Sequence, residues 1–361
     1  MAEGTPAVAR PAKVIVGAEE LKAMVAGIFA ARGATAVNAG AVADALVWAN
    51  LRGVDSHGVS RVTRYLELFD KGESDPNAMP TVTRPRVAIA IVDAHAAPGP
   101  VAMNRAADEA VSCAREAGIG WASIRGTVHT GAIGYYASRI ADAGMAAVGV
   151  VAGVPNMAYV GAKGAAVATS PLAVAVPAGK HELVLLDMAT AVMALGRIAQ
   201  LKAAGKELPP GVALTADGEP TTDPALAKVP TPVGGAKGAG MSLVFEMLAS
   251  GLAANPIVSS YHSGTREGRR HRQNAFLLAI DIAAFLPLAE FTATIDDTVD
   301  AIKSLPPAAD TDEILMPGER GRHTARDRAA SGIPLGPKVW RELTGIATAL
   351  DVPVPATPKL N

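Results

Sequence analysis

The chain has 361 residues, half of them hydrophobic, with 33 lysines and arginines against 34 aspartates and glutamates and a net charge of -1. That length can bury a large core and build two domains, or one domain with a helical cap. The charge balance excludes the electrostatic footprint of a nucleic-acid or anionic-membrane binder, so the expected partner is a small molecule.

In chain order, residues 1–12 lack the charged start and apolar stretch of a secretory leader. No apolar run approaches the roughly 20 residues of a membrane span. The expected location is the cytoplasm. From Gly17 to Ala31, Leu21, Met24, Val25, Ile28 and Phe29 recur at helical spacing and Gly33 supplies a stop. A second helix is predicted from the N-cap Thr35 to Leu51, and a third from Val59 to Phe69. Between them lies LRGVDSHGVSR, Leu51 to Arg61, where His57, Ser56 and Arg61 stand together in a glycine-framed joint. Arg61 precedes Tyr65 by four residues, so both face one side of the third helix, where the arginine could clamp a carboxylate or simply lie on the surface.

A proline-bearing loop, Pro76 to Pro85, leads into β-branched runs alternating with alanine-rich helices. Strands are predicted at Val87–Val92, Ile119–Ser123, Ala147–Ala152, Ala173–Val176, Leu183–Leu186 and Leu277–Ile282. Helices fall between them to about Ala117, at Ile133–Ala143, and from about Ala189 and Gly240. Cys113, the only cysteine, lies in the first of these and excludes a disulfide framework or a zinc-ligand set, so no metal is expected. Its natural compartment is a reducing one. Alternation of strands and helices indicates an α/β layer fold. A helix at Phe291–Ser304, a charged loop at Asp310–Ser331, a last helix around Val339–Leu350 and an extended arm at Val352–Leu360 complete the chain. The division is a helical first part at 14–80, a central α/β unit at 81–290, and a C-terminal return at 291–361 packing on the first part.

The dinucleotide fingerprint G-x-G-x-x-G after a strand is absent. The nearest cluster, Gly234 to Gly240 around Lys237, opens a helix; it could present backbone N–H groups and a lysine to an anion, or be a flexible loop. Asp187 ends a hydrophobic strand, either capping the helix expected next or lying on the floor of a ligand crevice. His57 and His129, the latter in the turn Gly126 to Gly131, are the imidazoles in glycine-framed loops, where they could transfer protons or serve as struts. The basic loop Arg266–Arg272 reads as solvated.

LRGVDSHGVSRVTRY, GTVHTGAIGYYASRIADAG, ATSPLAVAVPA, LVLLDMATAVMALGRI, ADGEPTTDP, GGAKGAGMSLVFEMLASG and MPGER occur in the order seen in the malate/L-lactate dehydrogenase family of the type without a Rossmann fold. The resemblance runs from about Leu21 to Leu350. That family includes ureidoglycolate and sulfolactate dehydrogenases and piperideine-2-carboxylate reductases. The resemblance implies an α/β (α+β) fold with a non-Rossmann NAD(P)-binding α/β domain and a helical domain built from both chain ends. It implies hydride transfer between NAD or NADP and a small 2-hydroxy or 2-oxo acid, with His129 as the acid/base, His57 and Asp187 beside it, and Ser56, His57, Arg61 and Tyr65 lining the substrate pocket. Gly153, Thr169, Ser170, Asp187, Met188, Ala189, Lys237, Gly318, Glu319 and Arg320 are the implied cofactor contacts, and a homodimer with its active site near the interface is the implied assembly. Ser170 stands where the family has asparagine. Val151-Ala152-Gly153 replaces a common Thr-Asn-Ser, leaving a backbone contact at Gly153. Val128 and Thr130 flank His129 as in ureidoglycolate-type members. The alternatives are a cyclic 2-imino acid reductase and a non-catalytic small-molecule binder on the same scaffold.

Overall fold

The computed structural model describes residues 13–356 and 359–360. The segment 1–12, read for the absence of a leader, lies outside the described residues, as do 357 and 358 of the proline-bearing arm. The chain opens with β1 (Val14–Val16) and α1 (Ala18–Ala31), whose five periodic apolar side chains are all buried. Thr35 caps α2 (Ala36–Leu51), its hydroxyl accepting from the Asn38 amide at 3.1 Å. The expected third helix starts later: two 3-10 turns, Asp55–His57 and Val59–Arg61, precede α3 (Val62–Asp70). Asn50 imposes this delay. Its Oδ1 accepts from the Val59 amide at 2.7 Å and its Nδ2 donates to Asp55 at 2.7 Å, diverting the backbone from helical pairing.

The predicted loop at Pro76–Pro85 contains an edge strand, β2 (Thr81–Arg86), hairpinned to β3 (Ile89–Asp93). Pro85 is tolerated there because an edge strand need not donate every amide. α4 (Gly99–Ala117) crosses over to β4 (Ile119–Thr127), which pairs with β3 in parallel. α5 (Gly134–Asp142), β5 (Met145–Gly153), β6 (Leu172–Pro177) and β7 (Leu183–Met188) follow. The helix expected from Ala189 begins six residues later as α6 (Leu195–Ala203). A short pair, β8 (Ala213–Leu214) and β9 (Val229–Pro230), precedes α7 (Ala236–Glu246), which starts earlier than expected and ends in a π-helical turn at Met247–Gly251. After α8 (Val258–His262), β10 (Gln273–Asp281) inserts between β4 and β5, giving the sheet order β2-β3-β4-β10-β5-β6-β7. Only β3 and β4 run parallel, so this mixed α/β fold has a mostly antiparallel sheet.

The C-terminal return starts with α9 (Leu288–Lys303). The charged stretch expected as a loop instead holds α10 (Glu319–Ser331), whose sequence ERGRHTARDRAAS shows no apolar stripe. Its stability comes from specific docking: Arg322 donates to the Leu183 carbonyl, Arg326 pairs with Glu182 at 2.5 Å, and Arg328 pairs with Asp55 at 2.7 Å. β11 (Ile333–Leu335), α11 (Pro337–Ala349) and β12 (Lys359–Leu360) finish the fold, with β1 between β11 and β12 in an antiparallel three-stranded sheet.

Two cores result. One joins the sheet to α4 and α5 through Ala90, Met103, Ile124, Tyr136 and Leu277. The other joins α1–α3 to β11 and α11 through Leu21, Phe29, Leu46, Tyr65 and Leu343. The Asn50–Asp55–Arg328 network ties the joint 55–61 to the C-terminal return. Asn50→Ala leaves the buried Val59 amide without its acceptor and is expected to cost about 1–3 kcal/mol. Chemical denaturation measures this; an unchanged midpoint would remove the network from the account.

Candidate active site

The joint 55–61 and the loop after β4 meet. The His57 and His129 rings lie nearly parallel, with centroids 5.6 Å apart and an interplanar angle of 22°. Ser56 Oγ contacts His57 Nδ1 at 3.0 Å, and Arg61 Nε donates to the Ser56 carbonyl at 2.6 Å, fixing the guanidinium beside the imidazole. His57, Arg61 and His129 border a cavity of about 260 Å³, with Gly153, Thr169, Ser170 and Ala189 in its wall.

Tyr65 takes a different place from the expected pocket wall. It is buried in the helical core, and its hydroxyl reaches His129, 2.9 Å from Nδ1 and 2.9 Å from the backbone oxygen. The carbonyl can only accept, so the phenol hydrogen goes to it, and both bonds form together when Nδ1 carries a proton and donates to the phenol oxygen. That tautomer leaves Nε2 as a free lone pair. Burial, followed by the nearby His57 and the arginines Arg61 and Arg64, holds His129 well below the ordinary histidine range, so the ring is neutral. Burial and Arg61 lower His57 to about 4.

A second cavity of about 640 Å³ adjoins the first, sharing His57, Gly131, Pro171, Ala189 and Ala194. Ser56, Asp187, Met188, Gly318 and Arg320 line it. Asp187 does not cap the helix that follows it. Its Oδ2 accepts from the Gly134 amide at 2.9 Å, at the N-terminus of α5, where a Cβ on Gly134 would come within 2.7 Å of that oxygen. The carboxylate is open to the cavity but crowded by its walls, which raises its pKa to about 6 against the lowering effects of the Gly134 amide and Arg52. Gly318 has φ of 82°, and a Cβ there would meet Leu185 at 2.8 Å, so the turn before α10 can press against β7 only as glycine.

Two implied cofactor residues stand elsewhere. Glu319 is buried away from both cavities, its carboxylate occupied by Lys303 at 2.9 Å and the Met316 amide at 2.8 Å. Lys237 is exposed on the first turn of α7 and borders neither cavity. Conversely, sequence reasoning missed Arg52, which donates to the Gly318 carbonyl at 3.0 Å and lines the larger cavity, and His271 and Gln273, which line the smaller one. The loop Arg266–Arg272 is thus not wholly solvated, because its last residues feed the start of β10. Adjacency of His271 to that apolar strand was the available signal.

A nicotinamide dinucleotide fits the donor set of the larger cavity. Arg52, Arg320 and Arg328 line it together with the glycine-opened N-terminus of α10, a combination suited to phosphates. Among the described residues no three His, Cys, Asp or Glu side chains form a metal-binding group, and no helix is long and apolar enough to cross a membrane.

Residues 16–344 match the malate/L-lactate dehydrogenase family. The malate dehydrogenase of Pyrococcus horikoshii is 34% identical over 321 residues, covering 86% of this chain and 88% of its own. Its solved structure superposes with a TM-score of 0.86, at 28% identity over 98% of this chain and 100% of that one. The ureidoglycolate dehydrogenase (NAD(+)) of Escherichia coli K12 is 28% identical over 309 residues, 85% of this chain and 88% of its own. The delta1-piperideine-2-carboxylate reductase structure from Pseudomonas syringae pvar. tomato gives a TM-score of 0.81 at 25% identity, over 92% and 99% of the two chains. The chain belongs to the malate/L-lactate dehydrogenase family and is an oxidoreductase.

The lowered histidines are measurable in the ligand-free protein. The unfolded chain protonates His57 near 6.5, the folded chain only near 4. The stability tied to its neutral form is therefore complete above about pH 6.5 and is lost as the pH falls toward 4. An NMR titration is expected to show His57 unprotonated at pH 5.5; a midpoint near 6.5 would contradict the enclosed site.

Proposed function

We propose that the chain interconverts a small 2-hydroxy acid and its 2-oxo acid with NAD or NADP as hydride carrier. The observation that carries this reading is a neutral, tautomer-fixed His129 on the same cavity wall as Arg61, beside a cavity suited to a dinucleotide. Bound nicotinamide supplies the ring that accepts or returns the hydride. Arg52, Arg320 and the α10 N-terminus would hold the phosphates, with Asp187, Met188, Ala189, Gly153, Thr169 and Ser170 as further contacts. Arg61 binds the substrate carboxylate, and His57, supported by Ser56, orients the substrate by hydrogen bonding. His129 Nε2 takes the hydroxyl proton during oxidation, and its imidazolium returns that proton during reduction. Tyr65 positions the imidazole from behind.

A second reading, reduction of a cyclic 2-imino acid, is favoured by the likeness to the Pseudomonas reductase. There the same imidazolium would protonate nitrogen, and assays with piperideine-2-carboxylate and pyruvate-like acids separate the two. A homodimer is also proposed. Val244 in α7, Met247 in its π-helical turn and Leu252 just after it are exposed apolar side chains, 50%, 59% and 61% exposed, of a kind that a second copy would cover. A reducing cytoplasm suits the buried Cys113 thiol.

A positioned acid/base contributes roughly 10²–10⁴ in rate. His129→Ala is expected to lower kcat by at least about that lower factor while NAD(P)H binding, followed by fluorescence, survives. In Asp187→Asn, which removes the carboxylate that titrates near 6, kcat/KM for oxidation should stay level as the pH falls through 6.5, because His129 is already neutral there. Unchanged turnover in His129→Ala would remove His129 from its role.

A further inference from the structure

The smaller cavity carries more positive charge than one carboxylate requires. Arg64 borders it as well as Arg61, and no acidic side chain among the described residues lines it. Arg64 meets Glu67 through one nitrogen, Nη1 to Oε2 at 2.9 Å, and the residue also borders the cavity. His271 provides an independent sign. Its Nε2 is buried and has no hydrogen-bond partner, although the residue lines the cavity. Folded proteins rarely leave such an atom unsatisfied unless a ligand completes it.

The cations sort into two groups around His129. Beyond burial, His57 feels Arg61, His271 feels Arg64 and, more weakly and in the opposite sense, Glu73, and His129 feels both arginines and both histidines. Arg61 and His57 are already joined through Ser56. A substrate carboxylate held there leaves Arg64 and the unpaired His271 nitrogen for another part of the same molecule. The neutral His271 can present an Nε2–H, and Arg64 supplies the charge, so the matching group is an anion.

Resting on the 2-hydroxy-acid reading above, we infer that Arg64 and His271 form a second anion subsite that selects 2-hydroxy acids bearing a further carboxylate or sulfonate over those ending in an alkyl group. A site built to hydrogen-bond a polar group rejects an analogue lacking it, because its own buried groups are then left unpaired. Arg64→Lys and His271→Gln should keep part of the preference, since each retains a donor.

The test uses the purified full chain with both enantiomers of malate, sulfolactate and lactate, each with NAD and with NADP. The wild type is expected to favour malate or sulfolactate over lactate in kcat/KM by at least about tenfold, and the leading dianion tells carboxylate from sulfonate. Arg64→Met and His271→Ala should each shrink that preference severalfold, because the dianion loses more than lactate does. A merely structural role would lower all substrates together and leave the ratio alone. If one variant fails to fold, the other and the conservative pair decide. Wild-type preference for lactate, or a ratio unmoved in folded variants, overturns the subsite and leaves the 2-hydroxy-acid reading standing. No turnover of any 2-hydroxy acid with either cofactor overturns both.

Discussion

The hydrogen bonds between one phenol and one histidine tie the helical core to the loop that leaves the sheet and set the chemistry of the cleft between them. Tyr65 belongs to the helical core, where its ring packs 6.2 Å from Phe29. His129 belongs to the loop that leaves β4 of the sheet. The phenol hydroxyl closes that gap with two partners on the same histidine. A hydroxyl has one hydrogen to give, so the backbone oxygen and Nδ1 together dictate where the imidazole proton sits. Packing in the helical core thereby fixes a protonation state on a loop of the sheet unit.

The rest of the architecture holds that arrangement in register. Asn50 and Arg328 grip Asp55, which keeps the joint as two tight turns and delivers His57 and Arg61 beside His129. Arg328 comes from α10, so the C-terminal return is part of what shapes the site. On the sheet side, Asp187 is fixed by the first turn of α5, while the turn before α10 docks on β7 through Gly318. The cleft is consequently asymmetric: the smaller cavity is wholly cationic or neutral, whereas the larger adds one carboxylate, Asp187, to its arginines.

Much of this was legible where the sequence repeats a simple period. α1 shows its stripe and its glycine stop, Thr35 announces α2, and the buried strands appear as β-branched runs. α10 gave no such signal, because its helix is held by arginines reaching residues far away in sequence rather than by an apolar face. The antiparallel character of the sheet was equally hidden, since β10 enters between β4 and β5 from more than a hundred residues downstream. The resemblance placed His57, Arg61 and His129 on motifs, and the structure brings all of them to one cavity. It could not show that Tyr65 would stand behind His129, that Glu319 would be consumed by Lys303, or that His271 would turn inward from a basic loop. The first two outcomes depend on contacts between segments, which no local pattern encodes; for His271 the one local sign was its place just before β10.

The tautomer of His129 tests the central claim most directly. Long-range ¹H–¹⁵N correlation spectra of the ligand-free protein at pH 7, assigned by comparison with His129→Ala, report which ring nitrogen is protonated. The account predicts a neutral ring with the proton on Nδ1 and a bare Nε2, a preference that weakens in Tyr65→Phe. An imidazolium, or a proton on Nε2 in the wild type, would contradict it.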